Sequence, residues 1–118
     1  MLLRERWGHT DDERMARLAR AFPSLAEAAG IAPWNLAALL RWAMTTDLSP
    51  CAMHAVRFLL HVLDDDKDWR VEAARLGFAA AHDSRHRLAP FGFAEAFRDW
   101  DEAHRAAVIA WCEAPFHP

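Results

Sequence analysis

Apolar residues recur at intervals of three and four along most of this chain, and polar or charged residues fill the positions between them. This spacing places apolar side chains on one face of an α-helix, whereas a half-buried strand needs strict alternation. No segment alternates for long enough to predict a strand. We therefore expect an all-α protein, a compact bundle of five to seven short helices. The clearest apolar groups are Met15, Leu18, Ala19 and Phe22; Leu36, Leu39, Leu40 and Ala43; and Val56, Leu59, Leu60 and Leu63.

Residues that start and stop helices divide this pattern into segments. A Ser or Thr followed three positions later by Glu is a capping box, and it occurs at Thr10–Glu13 and at Ser24–Glu27. The second box predicts a short helix that ends at Gly30. Ser49 and Pro50 predict an N-cap and a first helical residue, and we expect the apolar helix after them to be the most buried. Further starts are predicted at Pro33, at Asp66 or Asp68 for a helix over residues 69–81, at Phe93, and at Asp99–Glu102 for a helix to Glu113.

Length and composition are those of one domain, residues 1–118. Alanine occurs 25 times, which favours helices. A net charge of −3 argues against broad binding to nucleic acid or to a membrane surface. The N-terminal residues lack the apolar region of a signal peptide, and the longest uncharged run, 28–40, is too short to span a bilayer. We expect a cytoplasmic protein with no membrane association.

Sequence motifs for cofactors and covalent catalysis are not found in the chain. There is no Gly-rich phosphate loop and no G-x-S-x-G. Cys51 and Cys112 are far apart, and neither has a neighbouring signal for activation as a nucleophile. His54 and His61 share one face of an apolar helix, where buried or interface histidines are expected. The sequence thus predicts no cofactor and favours a non-enzymatic role.

Residues 24–41, SLAEAAGIAPWNLAALLR, carry the sharpest local pattern. A helix-turn-helix needs a small residue where its helices touch and, four residues later, one that tolerates positive φ; Ala26 and Gly30 fit these positions. The segment resembles the first helix-turn-helix of AraC-type transcription regulators over these 18 residues. The resemblance implies a second helix that offers Trp34, Asn35 and Arg41 to the major groove of DNA. An ordinary helix-loop-helix corner is the alternative.

Two patterns could supply metal ligands. His82 and His86 lie four apart, which would place them on one face if the segment is helical and would suit zinc, but no third ligand is evident. The acidic run 64–68 resembles the start of a calcium loop, but Trp69 stands where that loop requires glycine. We therefore predict no metal site, with the histidine pair as the remaining candidate and the acidic run as a helix cap.

Arg98 and His104 have the spacing of the R-x4–6-H motif of HEPN ribonucleases, which are all-helical domains of about this size. The resemblance implies that these two residues would serve phosphodiester cleavage in the cleft of a dimer.

The chain has six tryptophans, more than a core of this size can easily bury. Tryptophan and other aromatic residues are enriched at the centres of protein interfaces. We therefore predict an apolar contact face formed by Trp34, Trp42, Trp111, Phe91 and Phe93. The leading hypothesis is a non-enzymatic helical module that binds protein, either as an accessory subunit or inhibitor or as a homodimer. A DNA-binding regulator using residues 24–41 and a HEPN-like ribonuclease are the alternatives.

Overall fold

The computed structural model describes residues 2–64, 67–75 and 88–116, with side chains from residue 11 onward. This part of the chain contains helices and no strand, apart from an isolated bridge between Ile31 and Trp34. The radius of gyration is 13.9 Å, close to the ~13.5 Å expected of a folded chain of this length. The predicted compact all-α bundle is confirmed. Its helices are α1 (Leu2–Arg20), α2 (Leu36–Thr45), α3 (Pro50–Leu63), α4 (Trp69–Arg75), α5 (Phe93–Asp99) and α6 (Glu102–Glu113), with a 3-10 turn at Pro23–Leu25.

Helix α3 lies at the centre of the bundle and packs against α1, the 3-10 turn and α5. It starts as predicted, because the Ser49 hydroxyl accepts the N–H of Ala52 at 3.2 Å and Pro50 takes a position that needs no donor. Nine of its 14 residues are buried. Burying a side chain such as Leu59 or Phe58 contributes roughly 1.5–3 kcal/mol, so this helix organises the core.

The aromatic ring of Phe58 joins the two ends of the chain within that core. Phe22, which follows α1, and Trp111 of α6 meet its ring edge-on, with centroids 5.9 and 5.4 Å away. Phe91 and Trp100 make similar edge contacts at 5.1 and 6.5 Å. Aromatic rings prefer these arrangements, which fix α6 and the segment before α5 against α3.

Helix α1 does not start where the sequence predicts. It begins at Leu2, so Thr10 lies inside the helix and does not mark its start. The preceding residues are mostly good helix formers, and no proline interrupts them. A capping box marks a start only where the chain upstream leaves the helix, and here it does not.

The predicted short helix from Ser24 to Gly30 is also wrong. Only a single 3-10 turn forms, Pro23–Leu25, with Phe22 at its N-cap position. Glycine is required at residue 30, as predicted, because φ is +81° there. The peptide Ala32–Pro33 is cis, and α2 starts after Asn35 rather than at the proline.

The boundaries of the C-terminal helices agree in part with the pattern. Asp68 accepts the N–H of Arg70 at 3.0 Å and caps the start of α4, one of the two predicted caps. The predicted extension of this helix to residue 81 lies outside the described residues. Helix α6 is capped by Asp101, which accepts the N–H of His104 at 2.9 Å, and not by Asp99. The carboxylate of Asp99 is bound to His54 instead. None of the helices in the described ranges is sufficiently long and apolar to cross a membrane.

Candidate functional site

A groove with a volume of about 520 Å³ runs between the second half of α1 and the C-terminal half of α6. We call it the α1–α6 groove. Much of its lining is alanine, and these small side chains leave room for a groove between α6 and the end of α1. Its apolar lining consists of Leu18, Ala21, Ala107, Ala110, Trp111, Ala114, Pro115 and Phe116.

The charged residues that line the α1–α6 groove are both arginines, Arg14 and Arg17. The guanidinium carbon of Arg14 lies 5.8 Å from the centroid of the Phe116 ring, a cation–π contact. Neither arginine forms an ion pair with a carboxylate in the described part of the chain. The groove is therefore apolar inside and positive at its rim.

The aromatic end of the groove is held in place by the core. The Trp111 indole N–H donates to the carbonyl oxygen of Phe116 at 3.3 Å, which folds the segment after α6 over the groove. The same indole ring stands edge-on to the buried ring of Phe58. Trp111 is half-buried, so part of its ring packs against the core and part of it lines the groove. A surface of this kind is formed before any partner arrives.

The five aromatic residues of the predicted contact face lie in different places. Trp111 lines the α1–α6 groove, whereas Trp34 lines a separate hollow on α1 and Trp42 packs half-buried against the core. Phe91 and Phe93 pack edge-on to each other, with centroids 4.8 Å apart. Phe93 is 46% exposed. The structure therefore assembles several small aromatic surfaces rather than one face.

Three side chains from two distant parts of the chain form a hydrogen-bonded row that was not predicted from the sequence. The Nδ1 atom of His104 lies 2.7 Å from Oδ1 of Asp101, and Nε2 lies 2.7 Å from the hydroxyl oxygen of Ser24. Ser24 lies on the 3-10 turn, while Asp101 and His104 occupy the first turn of α6. We call this row the Ser24–His104–Asp101 cluster.

The partners of the imidazole fix its tautomer. The carboxylate of Asp101 can only accept, because hydrogen bonds from the backbone N–H and then the ring of His104 hold its pKa below the usual value. Nδ1 of His104 therefore carries the proton, and Nε2 is the acceptor. Nε2 accepts from both the hydroxyl and the backbone N–H of Ser24, the latter at 3.3 Å. His104 is 3% exposed, and its ring contacts the rings of Phe22 and Trp100.

A second histidine–aspartate pair also contacts Trp100, whose ring stands edge-on to that of His54 with centroids 6.3 Å apart. Nε2 of His54 lies 2.8 Å from Oδ2 of Asp99, and this hydrogen bond is the largest cause of the lowered pKa of Asp99. Nδ1 of His54 is buried and has no hydrogen-bond partner among the described residues. The Trp100 indole N–H donates to the carbonyl of Cys51 at 3.0 Å. The sequence Asp99–Asp101 thus ties the start of α6 to α3 and to the 3-10 turn.

Arg98 and His104, the pair predicted from the ribonuclease motif, have different partners. Arg98 is largely exposed on α5, with Nε 3.6 Å from Oδ1 of Asp99. His104 is buried, and both its ring nitrogens are engaged by Asp101 and Ser24. Described contacts do not bring the two side chains together.

The residues predicted to read DNA have mostly structural contacts. The side chain of Asn35 caps α2 by accepting the N–H of Ala38 at 3.0 Å, and Trp34 is half-buried beside α1. Arg41 is exposed on α2. The helix that would precede the recognition helix is a single 3-10 turn, so the geometry does not favour DNA binding.

Within residues 2–64, 67–75 and 88–116 no group of three metal-ligating side chains is found. His82 and His86 lie outside the described residues, so that prediction is not tested by the structure. Asp68, from the acidic run, pairs with Arg70, whose Nε lies 3.1 Å from Oδ1, and caps α4.

Comparisons with known proteins give no independent information on function. No family model, curated protein or solved structure matches the chain.

Ser24 and Asp101 were not predicted as site residues, for different reasons. Asp101 lies three residues before His104 at a helix start, a local spacing that could have been recognised. Ser24 is 80 residues from its histidine, and its capping-box pattern pointed to a local role. Only the tertiary fold reveals that contact.

Proposed function

We propose that the protein is an interaction module that binds a helical segment of a partner protein in the α1–α6 groove. The observation that carries the proposal is the groove itself, with alanines along its length and an anchored tryptophan at one end. Small side chains let a second helix approach closely, and a half-buried tryptophan provides a rigid contact of the kind enriched in binding hot spots. Grooves of this type receive the apolar face of an amphipathic helix.

The positive charge of the groove lining favours one kind of partner. Arg14 and Arg17 line the groove, and no carboxylate does. Acidic side chains flanking the apolar face of a bound helix would meet these arginines, whereas lysines would be repelled. We therefore propose an acidic amphipathic helix as the occupant.

A pair of synthetic peptides tests this proposal by fluorescence anisotropy. Both carry Leu at positions i, i+3, i+4 and i+7; one has Glu and the other Lys on the flanking positions. The acidic peptide should bind at least about tenfold more tightly, a difference of about 1.4 kcal/mol. Trp111→Ala should weaken its binding by a similar factor or more, as loss of a hot-spot residue does.

A charge reversal provides the matched control. Arg17→Glu should reverse the preference between the two peptides. Arg20→Glu makes the same change of charge on the same helix, but Arg20 does not line this groove, so the preference should remain. Equal binding of both peptides, or equal effects of the two variants, would refute the acidic partner. A dimer in light scattering that dissociates on Ala110→Glu would instead identify a second copy of the chain as the occupant.

A further inference from the structure

The Ser24–His104–Asp101 cluster has the order of contacts that activates a serine hydroxyl. A serine becomes nucleophilic when a neutral imidazole accepts its proton and a carboxylate fixes the tautomer of that imidazole. Here Nε2 lies 2.7 Å from the Ser24 oxygen, and Nδ1 lies 2.7 Å from the Asp101 oxygen. We propose that Ser24 is an acylation site, at which the serine takes an acyl group from an activated ester.

The environment of each group suits its part in that reaction. The His104 side chain is 4% exposed while that of Asp101 is 63% exposed, so the imidazole is held in a dry setting and its carboxylate is reached from one side by water. Ser24 is partly exposed, so its hydroxyl can meet a reagent from solvent. The imidazole itself is shielded by Phe22 and Trp100, which keep its orientation fixed.

The chemical step involves only these groups and the ester. The Ser24 oxygen forms a bond to the acyl carbon as its proton passes to Nε2 of His104, and the bond from that carbon to the leaving group breaks. The proton then passes from Nε2 to the departing aryl oxide or thiolate. Water, deprotonated by the same nitrogen, can later release the acid and restore the serine.

One contact limits the class of ester. Efficient serine hydrolases aim backbone N–H groups at the developing oxyanion, but the Ser24 N–H donates to Nε2 of its own histidine. Since loss of one such donor costs about 10²–10³ in rate, we expect reaction with aryl esters and thioesters, whose leaving groups depart readily. Alkyl esters and amides should not react.

The test uses the full-length protein with p-nitrophenyl acetate and with a fluorophosphonate probe, and locates the label by mass spectrometry. Ser49 is the internal control, because its hydroxyl caps a helix and accepts from Ala52. Ser24 should be labelled about 100-fold faster than Ser49, within the range that general-base catalysis provides, and Ser24→Ala should remove that label. Equal labelling of the two serines would overturn the proposal.

Asp101→Asn separates activation of the serine from folding. Asparagine caps helices as well as aspartate does, so α6 should form normally. Oδ1 of Asp101 accepts both the backbone N–H and Nδ1 of His104, so asparagine can keep both hydrogen bonds, but it lacks the negative charge that stabilises the imidazolium formed as Ser24 reacts. Labelling of Ser24 should fall at least about tenfold, with an unchanged circular dichroism spectrum. An unchanged rate in the folded variant would show that the cluster is only a structural contact.

Discussion

Replacement of Gly30 by alanine tests whether the turn between α1 and α2 is built as described. Gly30 has φ of +81°, and holding another residue in this region costs about 1–3 kcal/mol. An added Cβ would also meet the backbone oxygen of Asn35 and lie 2.6 Å from the backbone nitrogen of Leu39. These are backbone atoms of α2 and its cap, so the helix itself must shift.

The expected loss follows from the two effects together. Moving α2 disturbs Leu39 and Leu40, both fully buried, and core strain of this kind costs about 1–3 kcal/mol. The total loss in the free energy of unfolding is therefore about 2–6 kcal/mol. A chain of this length has about 6–18 kcal/mol in all, so the variant should fold but unfold at clearly lower urea concentration.

Urea denaturation followed by circular dichroism and tryptophan fluorescence measures the effect. Gly92→Ala is the control, because Gly92 has φ of −119° and an added Cβ would lie 3.8 Å from the nearest atom, in the flexible side chain of Glu95. That variant should lose about 1 kcal/mol or less, since replacing a favourable N-cap residue by alanine typically costs about that much. A loss below about 1 kcal/mol for Gly30→Ala would refute the described turn.

Three other predictions concern the core and the histidine–aspartate pairs. Phe58→Ala should cost about 3–5 kcal/mol in urea denaturation, because the ring is fully buried, whereas Phe93→Ala should cost less than about 1 kcal/mol. The lowered pKa values of Asp99 and Asp101 stabilise the fold above the ordinary carboxyl pKa of ~4. This stability should be lost as the pH falls below about 4, and an acid titration of Asp99→Asn should show a shallower decline. His54→Leu should change stability by less than about 1 kcal/mol by thermal denaturation, because the lost hydrogen bond to Asp99 is offset by removal of a buried ring nitrogen that has no partner among the described residues.

The sequence predicts which segments become helices more reliably than where they end. A helix is predicted from the spacing of Val56, Leu59 and Leu60, which requires only that one face of the helix be buried. These residues are buried in α3. Helix ends depend on single polar side chains, and each of these has more than one available partner. Thr10 lies inside a helix because the residues before it are helical. Ser24 does not cap a helix and is hydrogen-bonded to a histidine 80 residues away.

The same ambiguity explains why the candidate sites could not be read from the sequence. Asp99 and Asp101 both fit a cap for α6, and the tertiary position of His54 decides between them by taking Asp99. The groove is even harder to predict from the sequence, because nothing in the local sequence of Ala21 or Ala110 indicates a binding surface. Only the packing of the helices brings them into one groove. Only Trp111, selected for its aromatic character, is common to the sequence prediction and the groove.

Helix α6 contributes to both proposed sites, since His104 in its first turn belongs to the cluster and Ala107, Ala110 and Trp111 line the groove. The two proposals can nevertheless fail separately. Arg17 lies on α1 and contacts no member of the cluster in the described structure, so its charge reversal should alter peptide preference and leave acylation unchanged. Asp101 lies at the other end of α6, so its replacement by asparagine should slow acylation and leave peptide binding intact. If each variant changed both properties, they would report a common disturbance of α6 rather than two sites.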